Sequence, residues 1–346
     1  MPLDKGFRDW ETTVSMARAN DPTSPGALLR SIPRAFDDLP IWAQLNITYK
    51  CNLDCAYCSE YDNSKDHVPT ADLYQRIDKI KSLGSLHTDL IGGEPLLHPD
   101  LVPLMKHVVS HGMTTGMTTN GFLLTEDKLK ELMDAGMGRI QMSVDSLKPK
   151  DGIPKSLKTL RKKIEMVSRH PIWFRVNTVI CDETIDEVEE VAKTCWDLGV
   201  AINFSVVHDH GRLKKMPNTP RYLERVQWLK EQKQNGKPIS TPFYLIDYYE
   251  KALNDKPMEW TCQAGNKCFY VSAEGNFQFC YHVPSRRKLM DVSRAEIAGY
   301  RGKKGCEENC GVDCVIHTSL PFSNRTEVMK VEVKRLAGQL LPILRG

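Results

Sequence analysis

Between residues 41 and 208 the chain alternates two patterns: apolar, strand-like runs begin near residues 41, 86, 113, 139, 172 and 200, and helical stripes fill the gaps. The later units repeat every 26 to 33 residues, the length of a strand, a helix and two short connections. No other feature restricts the fold as much, because strands separated by helices run parallel and are joined by right-handed crossovers. One helix is expected after Thr70 as N-cap, with Leu73, Ile77 and Ile80 on one face and Gly84 at its end. Others carry Leu101, Met105 and Val108; Leu129, Leu132 and Met133; Leu157, Leu160, Ile164 and Val167; and Ile185, Val188, Val191 and Leu198. The expected architecture is α/β, a partial (βα)6 TIM-like barrel over residues 41–210 with a small cysteine-rich C-terminal domain over 259–320. Residues 1–40 read as a proline-broken lead-in, 211–258 as a helical bridge, and 321–346 as a closing amphipathic helix.

Directly after the first expected strand comes Cys51-Asn-Leu-Asp-Cys55-Ala-Tyr57-Cys58, three cysteines with three and then two residues between them. Three thiolates in one loop hold a 4Fe-4S cluster while leaving one iron open to a non-protein ligand. Zinc is the plainer alternative, but no second Cys-x-x-Cys knuckle follows to close a tetrahedron. Disulfides fit worse, since three cysteines inside eight residues are badly placed for separate bridges.

The second strand ends in Ile91-Gly92-Gly93-Glu94-Pro95, where glycines let the backbone approach a ligand closely and the carboxylate can accept a charged amine. A glycine turn between strand and helix explains the same residues without a ligand. The third strand ends in Thr118-Thr119-Asn120-Gly121, the fourth in Ser143-Val144-Asp145, the fifth carries Arg175 and Asn177, and the sixth ends near His208, Asp209 and His210. All are also ordinary turn or loop residues.

Together the cysteine loop, with its aromatic Tyr57, and the Gly-Gly-Glu-Pro stretch resemble the radical S-adenosylmethionine (radical SAM) superfamily. The resemblance implies a cluster on Cys51, Cys55 and Cys58. It also implies an S-adenosylmethionine site built from Tyr57, Gly92, Gly93, Glu94, Ser143, Asp145 and Asn177. The activity implied is reductive cleavage of S-adenosylmethionine to a 5'-deoxyadenosyl radical that abstracts a substrate hydrogen, with a reductase, flavodoxin or ferredoxin as electron donor. Farther on, Cys262, Cys268, Cys280, Cys306, Cys310 and Cys314 resemble the SPASM and twitch auxiliary-cluster domains of the same superfamily. Six cysteines exceed the four that one cluster needs, and the further Cys-x-x-Cys of full SPASM domains is absent. One auxiliary 4Fe-4S cluster is therefore expected on Cys262, Cys280 and two of the others, with structural zinc as the alternative. Cys181 and Cys195 fall on strand and helix patterns and read as core residues.

A net charge of +3 gives no strong attraction to nucleic acid or to a membrane surface. The amino terminus has no apolar signal core, and nowhere are eighteen apolar residues consecutive, so a cytoplasmic protein is expected. In a reducing compartment eleven cysteines read as metal ligands rather than disulfides. With about 40 residues before the barrel, a leader-recognition domain does not fit, which tilts the expectation toward a small-molecule biosynthetic substrate over a peptide. A non-catalytic iron-sulfur carrier or a zinc scaffold is the alternative of another class; the paired Gly-Gly-Glu-Pro and Ser-Val-Asp stretches oppose it, since a carrier needs no nucleoside pocket.

Overall fold

Side chains alternate along each strand, and this splits the central sheet into two faces of opposite character. The computed structural model describes residues 32–213, 219–256 and 258–323. Within it β1 (Trp42–Thr48), β2 (His87–Gly92), β3 (Thr114–Thr119), β4 (Arg139–Ser143), β5 (Trp173–Ile180) and β6 (Ala201–Val206) pair in chain order, each parallel to the next. Between them run α1 (Thr70–Leu83), α2 (Leu101–Ser110), α3 (Glu126–Asp134), α4 (Leu157–Ser168) and α5 (Val188–Asp197). The alternation of strand and helix is the one read from the sequence.

Ala43, Leu45 and Ile47 of β1, Ile140 and Met142 of β4, and Ile202 and Phe204 of β6 are buried in one core with the helix stripes, such as Leu73, Ile77 and Ile80 of α1. Each large side chain so buried stabilises by about 1.5–3 kcal/mol. Register is fixed as a consequence, because a one-residue slip would turn the whole set to the other face. That other face is polar and bonds across the strands. Asp89 accepts from Trp42 Nε1 (2.9 Å) and from Arg139. Arg175 Nε donates to Gln141 Oε1 (2.6 Å), and Asn203 Nδ2 donates to Asn177 Oδ1 (2.7 Å).

Thr70 does not cap α1 as expected. It is the first helical residue, Pro69 occupies the cap position, and the Thr70 hydroxyl instead donates to Asp100. Thr125 and Ser156 do cap α3 and α4 through their side-chain oxygens. Gly84 ends α1 in the left-handed region, at φ 105°, as a C-terminal glycine should.

After β6 a short hairpin of β7 (His208–Asp209) and β8 (Arg212–Leu213) leads to α6 (Thr219–Gln234) and α7 (Phe243–Leu253). Arg221 and Arg225 of α6 pair with Asp186 and Glu189, so these two arginines tie α6 to the start of α5. The cysteine-rich region then returns to the barrel. β9 (Cys268–Val271) pairs parallel with β1, from Trp42 opposite Cys268 to Leu45 opposite Val271, and β10 (Phe277–Gln278) pairs antiparallel with β9. One open sheet of eight strands results, in the order β10-β9-β1-β2-β3-β4-β5-β6. The last helices among the described residues are α8 (Arg294–Gly299) and α9 (Asp313–Ser323). Most of the expected lead-in and the expected closing helix lie outside the described residues. No described helix is long and apolar enough to cross a membrane.

Candidate active site

The cysteine loop leaves the carboxyl end of β1, where an α/β sheet presents its functional loops. Its shape is fixed by its own backbone: Cys58 N–H donates to Cys55 O (2.9 Å), Asp62 N–H to Tyr49 O (2.9 Å), and Cys51 N–H to Asn63 Oδ1 (2.9 Å). Gly92 and Gly93 lie against the root of this loop. A Cβ on Gly93 would stand 2.4 Å from Lys50 O, and one on Gly92 would stand 2.3 Å from Thr48 O. The two glycines thus admit the backbone of Thr48, Tyr49 and Lys50, at the root of the cysteine loop.

Glu94 is buried, and its carboxylate is oriented by three donors: Leu96 N–H (3.1 Å), the Thr119 hydroxyl (2.7 Å) and Asn120 N–H (2.7 Å). Burial pushes its pKa up, and the bonds from Asn120, Thr119 and Leu96 oppose that shift. Asn120 continues the chain of contacts, donating from Nδ2 to Asn52 Oδ1 (2.9 Å) with Cys51 Sγ at 3.8 Å. The carboxylate at the end of β2 and the first cysteine are therefore tied through one asparagine.

Asp145, expected as a nucleoside contact, is held by three groups of the protein. Tyr57 donates its hydroxyl to Asp145, Val179 N–H donates to it at 3.0 Å, and Lys155 Nζ lies 3.2 Å away. Burial and the Asp145 carboxylate push the Tyr57 pKa far up, so the phenol remains a donor. Lys155 sits 4.8 Å over the Tyr57 ring, a buried cation beside the thiols of Cys55 and Cys58. Sequence reasoning missed it, since Ile153-Pro154-Lys155 is an irregular loop with no period or motif. Ser143 and Asn177 stand opposite each other on β4 and β5, half-buried on the polar face. His208 lies on the β7–β8 hairpin, its ring edge-on to His282 at 4.7 Å, and His210 is exposed.

The second cysteine group is brought together from three places. Cys268 on β9, Cys280 after β10 and Cys314 in the first turn of α9 line one narrow cavity beside Gln44, to which Cys314 Sγ donates at 3.6 Å. Cys262 and Cys310 are buried close by, and Cys306 is half-buried at the edge. Burial pushes Cys262 and Cys310 up to about 12, and a metal bound there would displace their protons. Among the described residues no three cysteine sulfurs lie within 4.8 Å of one another. A single zinc ion with Zn–S bonds of about 2.3 Å needs sulfurs roughly 3.8 Å apart, whereas a four-iron cube carries its thiolates at separate corners. The donors of both groups are thiolates, which suit iron-sulfur clusters and zinc alike. Cys181 and Cys195 stay apart, Cys181 beside Thr184 and Cys195 in the core.

Residues 45–195 match the Radical SAM superfamily. The chain is 27% identical over 266 residues to the PqqA peptide cyclase of Bradyrhizobium diazoefficiens, an alignment covering 71% of this chain and 68% of that one. It is 25% identical over 276 residues to the AdoMet-dependent heme synthase of Methanosarcina barkeri, covering 72% and 79%. Among solved structures, Streptococcus suis SuiB bound to its precursor peptide SuiA superposes with a TM-score of 0.62 at 14% identity, over 83% of this chain and 73% of that one. Against SuiB bound to S-adenosylmethionine the TM-score is 0.58 at 15% identity, and the match spans 73% of this chain and only 63% of that one. At these identities the structural likeness is one of fold.

Proposed function

We propose, from the radical SAM domain that residues 45–195 match, that this chain is a radical SAM enzyme that modifies a peptide by hydrogen abstraction. A 4Fe-4S cluster and S-adenosylmethionine, bound together, supply reductive cleavage of the sulfonium to methionine and a 5'-deoxyadenosyl radical. In this reading Cys51, Cys55 and Cys58 hold the cluster, and Lys155 opposes the negative charge of their thiolates from a buried position. Tyr57, locked by Asp145, backs the loop and keeps it from shifting. Glu94 has acceptor capacity left after its three protein donors, and it takes the amine of S-adenosylmethionine. Ser143 and Asn177, at the open end of the polar face, take the nucleoside side. Cys268, Cys280 and Cys314, completed by Cys262 or Cys310, hold an auxiliary cluster at the edge of β1. A flavodoxin- or ferredoxin-type protein delivers the electron.

Sequence alone tilted the substrate toward a small molecule. The observation that carries the peptide reading is the alignment with a peptide cyclase over 71% of the chain, supported by the fold shared with a precursor-peptide enzyme. The similarity to a heme synthase favours a porphyrin-type substrate as the second reading. The test is anaerobic incubation of the reduced enzyme with deuterated precursor peptides, and separately with deuterated porphyrin precursors. Deuterium entering 5'-deoxyadenosine from a peptide is expected; label arriving only from the porphyrin precursors overturns the peptide reading.

A further inference from the structure

Away from the cysteines, two imidazoles and a carboxylate converge on the outer helical layer. His107 and His111 are four residues apart at the carboxyl end of α2, so they share one face of that helix. Asp78 reaches them from the neighbouring α1. Its Oδ1 lies 2.6 Å from His107 Nε2 and 2.8 Å from His111 Nε2, and the two Nε2 atoms are 3.4 Å apart. Among the described residues this is the one group of three or more such donor atoms lying within 4.8 Å of one another.

We propose that Asp78, His107 and His111 form a binding site for a borderline divalent cation, Zn2+ above all, which clamps α1 to α2. Zinc bonds of about 2.0–2.2 Å to nitrogen and oxygen set a tetrahedral edge of roughly 3.4 Å. The observed nitrogen-to-nitrogen edge of 3.4 Å already has that length. The two edges to Asp78 must open by roughly 0.6–0.8 Å to reach it, an easy motion for a carboxylate whose side chain is 53% exposed. Without a metal, two N–H groups must point at one carboxylate oxygen from neighbouring positions. A cation at the centre replaces both protons and leaves each imidazole neutral, its other nitrogen carrying the proton. Two nitrogens and one oxygen suit zinc, nickel or copper rather than magnesium or calcium.

Two further features favour a cation here. His107 is in the last turn of α2 and His111 is its C-cap residue, where the helix carbonyls present partial negative charge. The Tyr74 ring packs 4.5 Å from His107 and forms one wall of the site. The histidines are only 28% and 31% exposed, so their rings are held in place, while the fourth coordination position opens to water. The end of α2 lies at the start of β3, opposite the end of the sheet from which the cysteine loop emerges. The site is therefore a clamp on the scaffold, separate from hydrogen abstraction.

The test uses the full chain with its cysteines loaded with iron, which keeps them from taking up zinc. Zn2+ is titrated in competition with a chromophoric chelator, comparing wild type with His107→Ala/His111→Ala and with Asp78→Asn. Wild type should bind one more equivalent than either variant, and added Zn2+ should raise its thermal midpoint but not theirs. Equal zinc uptake by wild type and either variant, or an unshifted wild-type midpoint, overturns the proposal.

Discussion

Replacing Lys155 by Met should destabilise the fold chiefly through Asp145, and the size follows from geometry. The ammonium stands 3.2 Å from the Asp145 carboxylate, with side chains 11% and 0% exposed. Two unit charges at that distance attract by roughly 5 kcal/mol at an effective dielectric of about 20. Part of this is offset by the desolvation of the lysine, and removal of one partner from such a buried pair costs about 3–5 kcal/mol. Asp145 would keep the Tyr57 hydroxyl and Val179 N–H as neutral donors, which restrains the loss to that range. Anaerobic urea unfolding of the iron-loaded protein, followed by far-UV circular dichroism, measures it. Lys155→Met/Asp145→Asn should lose clearly less than Lys155→Met, because it leaves no unpaired buried charge. Lys155→Arg should fall between wild type and Lys155→Met, keeping the charge but not the fit. If Lys155→Met sits within about 1 kcal/mol of wild type, or no lower than the double variant, the pairing argument is wrong.

Gly93→Ala places a methyl 2.4 Å from Lys50 O and 2.7 Å from Tyr49 O, both backbone, so the cysteine loop must move; iron on Cys51, Cys55 and Cys58 should fall well below four per chain by iron analysis, with secondary structure retained. Glu94→Gln should leave iron content unchanged but weaken S-adenosylmethionine binding about tenfold to a hundredfold in a direct titration, by removing one charge-assisted contact. Asp89 is buried; burial alone would raise its pKa, but Arg139 and His87 hold it down to about 2. Its folded value lies below the unfolded value of about 3.9, so it contributes about 2–3 kcal/mol above pH 4, lost as pH falls through about 2. Asp89→Asn should lower stability at neutral pH and flatten acid unfolding over that window.

The parts of the fold legible in the sequence are those written with a period. Strand alternation and helix stripes place β1 to β6 and α1 to α5, because burying one face is the same demand on every unit. Contiguous motifs were legible as well: the cysteine loop and the Gly-Gly-Glu-Pro stretch do follow neighbouring strands, and Gly93 and Glu94 bond to the backbone of Thr48 and Lys50 at the root of the loop. Contacts across large sequence separations were not. Asp145 and Tyr57 are 88 residues apart, and nothing local in Ser-Val-Asp says that the carboxylate turns to the tyrosine rather than to a ligand. Lys155 carries no signal at all, since one lysine in an irregular loop reads as surface until the fold buries it.

The cysteine-rich region shows the same limit most sharply, because order along the chain does not give order in space. Cys268 lies on β9, and β9 is held by pairing with β1, more than two hundred residues earlier. Cys314 opens α9 beside Asp313, whose carboxylate accepts from Ser205 (3.0 Å) and Asn203 (3.3 Å) on β6. The cavity between Cys268, Cys280 and Cys314 is thus set by both sides of the barrel at once, through β1 on one side and the residue beside Cys314 on the other. Spacing arguments treat the six cysteines as a local cluster and leave their ligand set undecided. Sheet extension brings Cys268 to the barrel instead, through the pairing of β9 with β1.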